Sequence, residues 1–440
     1  MLTVKTDLEF VNFTTQNTVS EVSCMSNKIK VLTLGDHPLL PSGVGTQTKY
    51  MIEALVDSGK FDIFSLGGAI KHPNYNLMKV NENWSVLPVD GYGDKIKVLS
   101  IIREYKPDVV WFMTDPRYYE WLWAFDDDIR QNVPMVYYHV WDNYPPPKYN
   151  QKFYESNDTV VTISKVTSDI VQTVAPEVNE VYLPHAVPMN IFKKVDQDVI
   201  NQVLENNPDL NDRFIFFWNN RNARRKQSGT LITWFSEFLE QDHVDSKKVS
   251  LIMHTDPSDQ HGQPLEYLAE SLGMVNSEII FSKQKMPPEE LSKLYNVADC
   301  TINIADAEGF GLATLESLSC ETPIIVSMTG GLQEQVTDGE QWFGIGIEPA
   351  SKAIIGSQQV PYIFEDRISK QDFLDAMNKM YSMSKTERQN LGRKGREHVM
   401  KNYNFKDYGD RWVALMQEIH EKYGSWENRK EYKPWRMIEL

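Results

Sequence analysis

The strongest constraint on the fold is an alternation of buried-strand patterns with amphipathic helix patterns along most of the chain. In the first half, short apolar and β-branched runs predict strands at 30–34, 62–66, 108–112, 135–139 and 159–163. In the second half, similar runs predict strands at 213–218, 249–254, 278–281, 300–304 and 324–326. Helix patterns between them indicate an α/β fold with parallel sheets.

The two halves are of similar size and predict two Rossmann-like parallel-sheet domains that face a cleft. We expect an N-terminal extension at 1–27, an N-terminal Rossmann-like domain at 28–190, a C-terminal Rossmann-like domain at 191–402, and a C-terminal helix that crosses back, with a tail, at 403–440. In open α/β sheets, ligands bind beyond the carboxyl ends of the strands. The loops at those ends are therefore the candidate site.

Composition narrows the class of protein. No apolar run approaches the roughly 18 residues that span a bilayer, so no transmembrane segment is predicted. Three cysteines without a disulfide or zinc spacing indicate a reducing cytoplasm. The formal net charge of −16 disfavours non-specific attraction to nucleic acid, although a local basic groove is compatible with it.

The most informative segment joins two carboxylates, Glu308 and Glu316, through a Gly-Phe-Gly turn and an apolar helical run. The backbone N–H groups of Phe310, Gly311 and Leu312 would face an anion at the amino end of that helix. One carboxylate can hold hydroxyls ahead of a phosphate and the other hydroxyls behind it. That layout fits a sugar nucleotide.

A basic loop, 219–226, follows a predicted strand and precedes a helix. Arg221 and Lys226 could clamp the two phosphates of a diphosphate, since guanidinium and ammonium groups neutralise phosphate oxygens. The alternative is a solvated surface patch, and the position after a strand favours phosphate binding.

Two N-terminal features have weaker signals. The glycine-rich segment with Gly43 and Gly45 lacks the third glycine of a dinucleotide fingerprint and the Lys-Ser/Thr of a P-loop, so a plain turn is the alternative. His139 ends a predicted strand and is a candidate catalytic residue. A structural histidine is the alternative there.

Two acidic segments could suggest a metal site. Asp126, Asp127 and Asp128 form an Asp-x-Asp pattern, and the segment 254–261 carries two histidines and two aspartates. We interpret the first as an exposed helix end and the second as a loop, because a hard cation needs more converging oxygen ligands. No metal and no cofactor are predicted.

Together, the Glu-x7-Glu block, the following Thr-Pro-Ile-Ile-Val and Gly-Gly, and the Arg-x4-Lys spacing resemble the retaining GT-B glycosyltransferases of family 4, glycosyl transferases group 1. The resemblance covers roughly 28–423 and is sharp over about 214–340. Arg221-Asn222 with Arg225-Lys226 looks most like versions encoded by large DNA viruses and tailed phages.

The resemblance implies roles for the donor-side residues. Arg221 and Lys226 would hold the diphosphate, and Glu316 would bind the ribose hydroxyls. Glu308 would bind the hydroxyls of the donor sugar, while the amides of 310–312 would meet the sugar and phosphate.

For the other domain, the resemblance implies that Gly43 and Gly45 pack near the diphosphate. His139 would stabilise the transition state or position the acceptor. The C-terminal helices would cross back to brace the N-terminal domain.

Three departures from the family pattern concern loop shape. The family usually has glycine where this chain has Gln227 and Glu321, and a Gly-Gly pair where this chain has Gly43-Val44-Gly45.

The expected activity is metal-independent transfer of a hexosyl or pentosyl group from a UDP- or GDP-linked donor to an acceptor hydroxyl with retention of configuration, and the expected acceptor is a glycan. One alternative is a viral-type DNA glycosyltransferase acting on a hydroxylated base in the host cytoplasm. The others are a non-catalytic sugar-nucleotide-binding protein and, more weakly, a two-Rossmann sugar epimerase. Fold alone does not separate these functions.

Overall fold

A computed structural model describes residues 28–40, 42–274 and 276–433. The predicted N-terminal extension, 1–27, and residues 434–440 of the predicted tail lie outside the described residues. Within the described ranges, no helix is both long enough and apolar enough to cross a membrane.

The first domain is built on an eight-stranded sheet of order β3-β4-β2-β1-β5-β6-β7-β8. All neighbouring strands are parallel except the antiparallel pair β3–β4. Its strands are β1 Ile29–Asp36, β2 Phe61–Gly68, β3 Met78–Asn81, β4 Trp84–Pro88, β5 Val109–Thr114, β6 Met135–His139, β7 Thr159–Thr162 and β8 Glu180–Tyr182.

The second domain is built on a six-stranded parallel sheet of order β11-β10-β9-β12-β13-β14. Its strands are β9 Phe214–Asn219, β10 Val249–His254, β11 Ile279–Ser282, β12 Cys300–Asn303, β13 Ile324–Ser327 and β14 Gly344–Ile347.

Helices connect the parallel strands, as the right-handed crossover of parallel sheets requires. Those of the first half are α1 Gly43–Asp57, α2 Lys95–Tyr105, α3 Glu120–Trp123, α4 Asp126–Arg130, α5 Gln151–Glu155, α6 Lys165–Val174 and α7 Gln197–Asn206. Those of the second half are α8 Ser228–Leu239, α9 Leu265–Ser271, α10 Pro288–Val297, α11 Leu312–Ser319, α12 Leu332–Val336, α13 Lys370–Ser382, α14 Lys385–Asn402 and α15 Phe405–Tyr423.

A β-hairpin extends from the second domain to the first. Its strands, β15 Ser351–Ile355 and β16 Ile363–Arg367, pair antiparallel. The backbone N–H of Phe364 donates to the carbonyl of Tyr144 at 2.6 Å, and the Asn143 side chain donates to the Phe364 carbonyl at 2.8 Å. Val360, in the turn, packs into the apolar core of the first domain. The hairpin therefore ties the two domains together beside the cleft.

The last helix, α15, returns to the first domain. Trp412 on α15 is 0% exposed, and its ring lies 6.0 Å from that of Trp111 and 4.9 Å from that of Tyr138. One apolar cluster contains Trp412 together with side chains from both sheets. The two sheets thus share a continuous core, and α15 completes it.

The strands predicted from the sequence are confirmed, with small differences at their ends. The first helix begins at Gly43, because Ser42 caps it by accepting a hydrogen bond from the Gly45 amide at 2.9 Å. Strands β3, β4, β8 and β14 and the β15–β16 hairpin were not predicted. The boundaries assigned to the domains remain predictions.

Candidate active site

A cavity of about 870 Å³ lies between the two sheets. In each sheet, the strand order reverses direction at one strand, which opens a crevice at its carboxyl end. In the first sheet this strand is β1, flanked by β2 and β5, and Asp36 at its end lines the cavity. In the second sheet it is β9, flanked by β10 and β12, and Asn219 lines the cavity. The two crevices face each other across the cleft.

The loop before α11 forms the floor of the cavity on the second domain. Phe310, Gly311 and Leu312 all line it, and α11 begins at Leu312. Gly311, at φ 93°, precedes the helix, and no side chain caps the helix start. A helix start without a side-chain cap presents free N–H groups and a partial positive charge. This end of α11 can bind an anion, as the sequence predicts.

The glycine pair after β13 lets this loop pack closely. A Cβ on Gly330, whose φ is 48°, would lie 1.9 Å from the Glu308 carbonyl oxygen. A Cβ on Gly331 would lie 2.6 Å from the Cα of Phe310. Larger residues would push the loop into the cavity, so the pair fixes the position of Glu308.

Glu308 and Lys226 form a buried ion pair inside the cavity. Burial and the neighbouring Arg225 lower the pKa of Lys226 to about 8. Burial alone would raise the pKa of Glu308, but the charges of Lys226 and Arg225 hold it below its usual value. The pair thus places a basic and an acidic side chain next to each other in the cavity.

Glu316 lies on α11 at the other side of the helix start and also lines the cavity. The Tyr295 hydroxyl donates to its carboxylate at 2.6 Å, and Asn219 donates to that hydroxyl at 2.8 Å. Burial raises the pKa of Glu316 to about 7. Its second carboxylate oxygen can accept hydrogen bonds from vicinal hydroxyls.

The basic loop contributes Arg221 and Arg225 as well as Lys226. The Arg221 side chain is 61% exposed at the rim and bonds Asp259 at 2.6 Å and His261 at 2.7 Å. Arg225 lies deeper and donates to the Ala307 carbonyl at 2.5 Å. The structure thus adds Arg225, which the site prediction left out, to the cations that face the cavity.

Of the two predicted glycines, only Gly43 lines the cavity. A Cβ on Gly43 would lie 3.5 Å from Leu312 of the other domain. A Cβ on Gly45 would instead lie 2.8 Å from the carbonyl oxygen of His37. Gly45 therefore serves the packing of its own loop, and its predicted place beside a diphosphate is corrected.

His139 does not reach the cavity, contrary to the expectation for a catalytic residue. Its side chain is 0% exposed. Nδ1 pairs with the Tyr137 hydroxyl at 3.0 Å and Nε2 with the Tyr154 hydroxyl at 2.8 Å. Burial lowers the pKa of His139 to about 3, so the ring is neutral. His139 is therefore a buried structural histidine, which was the alternative to a catalytic role.

Asp142 and His185, which the site prediction left out, line the cavity near the position expected for His139. Burial raises the pKa of Asp142 to about 6, against the opposing charge of Arg225. His185 bonds the Tyr138 hydroxyl at 2.8 Å, and its ring lies 5.1 Å from Phe310. Both were visible in the sequence, Asp142 just after β6 and His185 after a proline, but neither pattern shows which side chain turns inward.

The acidic segments considered for a metal do not assemble into a site. Asp126 bonds Arg130 and Asp128 pairs with Lys95, whereas Asp259 is engaged by Arg221. Among the described residues, no group of three or more His, Cys, Asp or Glu side chains is arranged to hold a metal ion.

Comparison with known proteins finds sequence similarity in the second domain. Residues 200–398 match the family described as Glycosyl transferases group 1. A D-inositol 3-phosphate glycosyltransferase from Acidothermus cellulolyticus is 40% identical over 90 residues, which are 20% of this chain and 20% of that protein. The protein of the same name from Corynebacterium jeikeium is 32% identical over 123 residues, 27% of this chain and 28% of the relative. The chain thus matches about a fifth of the first relative's length.

Solved structures extend the similarity to both domains. Sucrose-phosphate synthase from Thermosynechococcus elongatus has a TM-score of 0.72 at 16% identity, covering 90% of this chain and 100% of that chain. Anabaena HepE in complex with UDP and glucose has a TM-score of 0.66 at 13% identity, covering 89% and 100%.

These comparisons confirm the predicted GT-B fold and support the group 1 glycosyltransferase family. The two relatives are bacterial, so they lend no support to the predicted similarity to viral and phage enzymes.

Proposed function

We propose that this protein transfers a sugar from a nucleotide-diphosphate sugar to an acceptor hydroxyl with retention of configuration. The observation that carries the proposal is the arrangement around the start of α11. Glu308 and Glu316 flank an uncapped helix end in one cavity, and Lys226 pairs with Glu308 there. A sugar, a diphosphate and a ribose match this order of carboxylate, positive charge and carboxylate.

The donor is UDP- or GDP-linked. The crystal structure of Anabaena HepE, which has a similar fold, contains UDP and glucose. UDP is therefore the first nucleotide to test. Glu316 binds the ribose hydroxyls, and Glu308 binds hydroxyls of a hexosyl or pentosyl group. Arg221, Arg225 and Lys226 neutralise the diphosphate, with the N–H groups at the start of α11.

The chemistry needs charge stabilisation at the leaving group. In the transition state, positive charge grows on the sugar and negative charge on the departing phosphate, and fixed positive groups stabilise the latter. The bond from the anomeric carbon to the phosphate oxygen breaks while the bond to the acceptor oxygen forms on the same face. The departing phosphate oxygen takes the acceptor proton, so no strong protein base is required.

We further propose that this transfer proceeds without a metal ion, because three cationic side chains and a helix end face the diphosphate. Transfer should therefore persist in excess EDTA. The enzyme works in the reducing cytoplasm, where the two described cysteines, Cys300 and Cys320, remain buried free thiols.

The first experiment is a thermal-shift panel with UDP, GDP, ADP and their common sugar conjugates. A ligand that binds only the folded protein raises the melting temperature according to its affinity. A rise with one nucleotide family supports the proposal and names the donor base. No rise with any nucleotide would contradict it.

A matched pair of carboxylate variants then separates the two ends of the donor. We expect Glu308→Gln to lower kcat/KM for transfer by about 10²- to 10³-fold, as for loss of one preorganised transition-state contact, with free UDP still bound. Glu316→Gln should weaken binding of free UDP itself, because it removes a ribose contact. Calorimetry with UDP and with the UDP-sugar, together with transfer rates, measures both effects.

Equal loss of UDP binding in both variants would contradict the separate roles. Tight binding of the sugar nucleotide without transfer to any acceptor would instead favour a non-catalytic sugar-nucleotide-binding protein.

A further inference from the structure

The two walls of the cavity differ in charge. On the second domain, the lining includes four cations opposed by three glutamates: Arg221, Arg224, Arg225, Lys226, Glu308, Glu316 and Glu365. On the first domain, the lining includes Asp36, Asp115 and Asp142, and Arg117 is the one arginine or lysine among its described residues. The wall that receives the donor is cationic overall, and the opposite wall is anionic.

The single cation of the first-domain wall is already neutralised. Arg117 donates to both carboxylate oxygens of Asp115, from Nε at 2.8 Å and from Nη2 at 2.8 Å. A bidentate pair of this kind satisfies both partners. Asp36 accepts hydrogen bonds from Ser42 at 2.7 Å and Tyr92 at 3.1 Å. Among the described residues of this wall, no arginine or lysine is left unengaged for an anionic group.

Asp142 lies where the two walls meet. Its Oδ2 is 3.9 Å from the position that a Cβ on Gly309 would take, beside the Glu308 loop. Among the described residues, no hydrogen-bond donor contacts its carboxylate, and its environment opposes ionisation chiefly through burial. The Asp142 carboxylate accepts no hydrogen bond from the described residues, and it lies beside the Glu308 loop. It can therefore accept a hydrogen bond from a hydroxyl group of a bound molecule.

Aromatic side chains complete the first-domain wall. Tyr118 is 48% exposed and Trp141 is buried, and both line the cavity. Aromatic rings with a polar tip suit molecules that combine apolar and polar faces, as sugar rings do.

Resting on the proposed function, we propose that the acceptor is an uncharged polyhydroxylated molecule, a sugar or polyol without a phosphate or carboxylate group. Asp142 accepts a hydrogen bond from its reacting hydroxyl and so positions that hydroxyl toward the anomeric carbon. The hydroxyl proton still leaves with the departing phosphate oxygen. A phosphorylated acceptor would place its negative charge against Asp36 and Asp142, and like charges brought together oppose binding.

The test uses acceptor pairs that differ by one phosphate, such as glucose with glucose 6-phosphate and myo-inositol with an inositol phosphate. Saturation-transfer NMR measures binding of each to the full-length protein saturated with its nucleotide. We expect signal from the uncharged member of at least one pair and at least tenfold weaker binding of its phosphorylated partner. Tighter binding of the phosphorylated members, or binding of neither member of any pair, would overturn the inference.

Two variants locate the effect. Asp142→Asn should raise the KM for the uncharged acceptor at least tenfold while the KM for the donor stays within twofold. Asp128→Asn, on the first domain but outside the cavity, is the matched control and should change neither constant. Unchanged acceptor KM in Asp142→Asn would overturn its positioning role.

Asp115→Asn releases Arg117 and should reduce the discrimination against the phosphorylated partner about tenfold, which corresponds to about 1.4 kcal/mol. Failure of these tests leaves the proposed function intact when nucleotide binding is normal. Loss of nucleotide binding by the unmodified protein would instead contradict the proposed function itself.

Discussion

Two residues that depart from the family's glycine pattern, Gln227 and Glu321, both adopt left-handed backbone, with φ of 55° and 63°. A side chain in this region costs energy that glycine avoids. At Gln227, polar contacts offset that cost, because its amide donates to Asp306 at 2.5 Å and its oxygen accepts from Thr230 at 2.5 Å. Both residues therefore occupy the backbone region that glycine favours.

His139 gives a pH-dependent prediction at the residue scale. Its folded pKa, about 3, lies below the ordinary value of 6.5. The unfolded chain therefore takes up the proton first, and the stability contributed by the neutral ring is lost as the pH falls below about 6.5 and on towards 3. We expect His139→Gln to be less stable than the unmodified protein at pH 7.5.

The stability deficit of His139→Gln should shrink on acidification, by at most about 1.4 kcal/mol per pH unit. Urea unfolding of both proteins at pH 7.5, 6.0 and 5.0 measures this difference, in which the other buried histidines cancel. Nucleotide binding and transfer should persist in the variant. A folded variant that binds nucleotide but has lost transfer would restore a catalytic role for His139.

Much of the donor side of the site could be predicted from sequence, because its residues are close along the chain. Glu308 and Glu316 flank one helix start, so their spacing alone brings them together. The acceptor side could not be predicted in the same way. His139 and Asp142 are three positions apart at one strand end, and only tertiary packing decides that the first turns into the core and the second into the cavity.

At the scale of elements, the β15–β16 hairpin connects the domains through few contacts. It is anchored to its own domain by Arg224, whose guanidinium donates to Glu365 at 2.8 and 2.6 Å. Its turn reaches the first domain through Val360, which is 5% exposed there. Ile355 and Gly356 line the cavity. The hairpin can therefore exclude water from the reacting groups.

We expect Val360→Asp to release the hairpin turn, because an unpaired carboxylate in an apolar core is strongly unfavourable. Transfer should fall about tenfold or more, the order expected when a closing element no longer orients the reactants. Hydrolysis of the donor should take a larger share of turnover, while free nucleotide remains bound. Gln358→Asp adds the same charge at an exposed position of this turn and should leave both rates unchanged. Equal rates in the two variants would contradict a role for the hairpin in closing the site.

Strands and helices could be predicted where the sequence carries a regular pattern. The parallel strands, for example, are marked by runs of buried Val, Ile and Phe. The hairpin lacks this signal, because strand 351–355 is mostly exposed and its partner owes its position to Tyr144 and Asn143 of the other domain. Its pairing is a tertiary property.

On the scale of the whole molecule, the shared core predicts cooperative unfolding of both sheets. Trp412→Ala should destabilise the protein by about 3–5 kcal/mol, the usual cost of deleting a buried tryptophan. A single calorimetric transition should move to lower temperature. Trp342→Ala removes a tryptophan that is 46% exposed and should shift the transition much less. Two transitions, of which only one moves, would show that the sheets unfold independently.

Completion of the first domain by α15 has a consequence for synthesis on the ribosome. The chain is made from its amino end, and domains usually fold in that order as they emerge. Here Trp412 packs against the face of the first sheet that holds Trp111 and Tyr138. Trp412 is translated only after the whole second domain, so this face cannot be covered until then. The first domain to be made is thus the last to finish folding, and its apolar face needs protection from aggregation until the final helix is released.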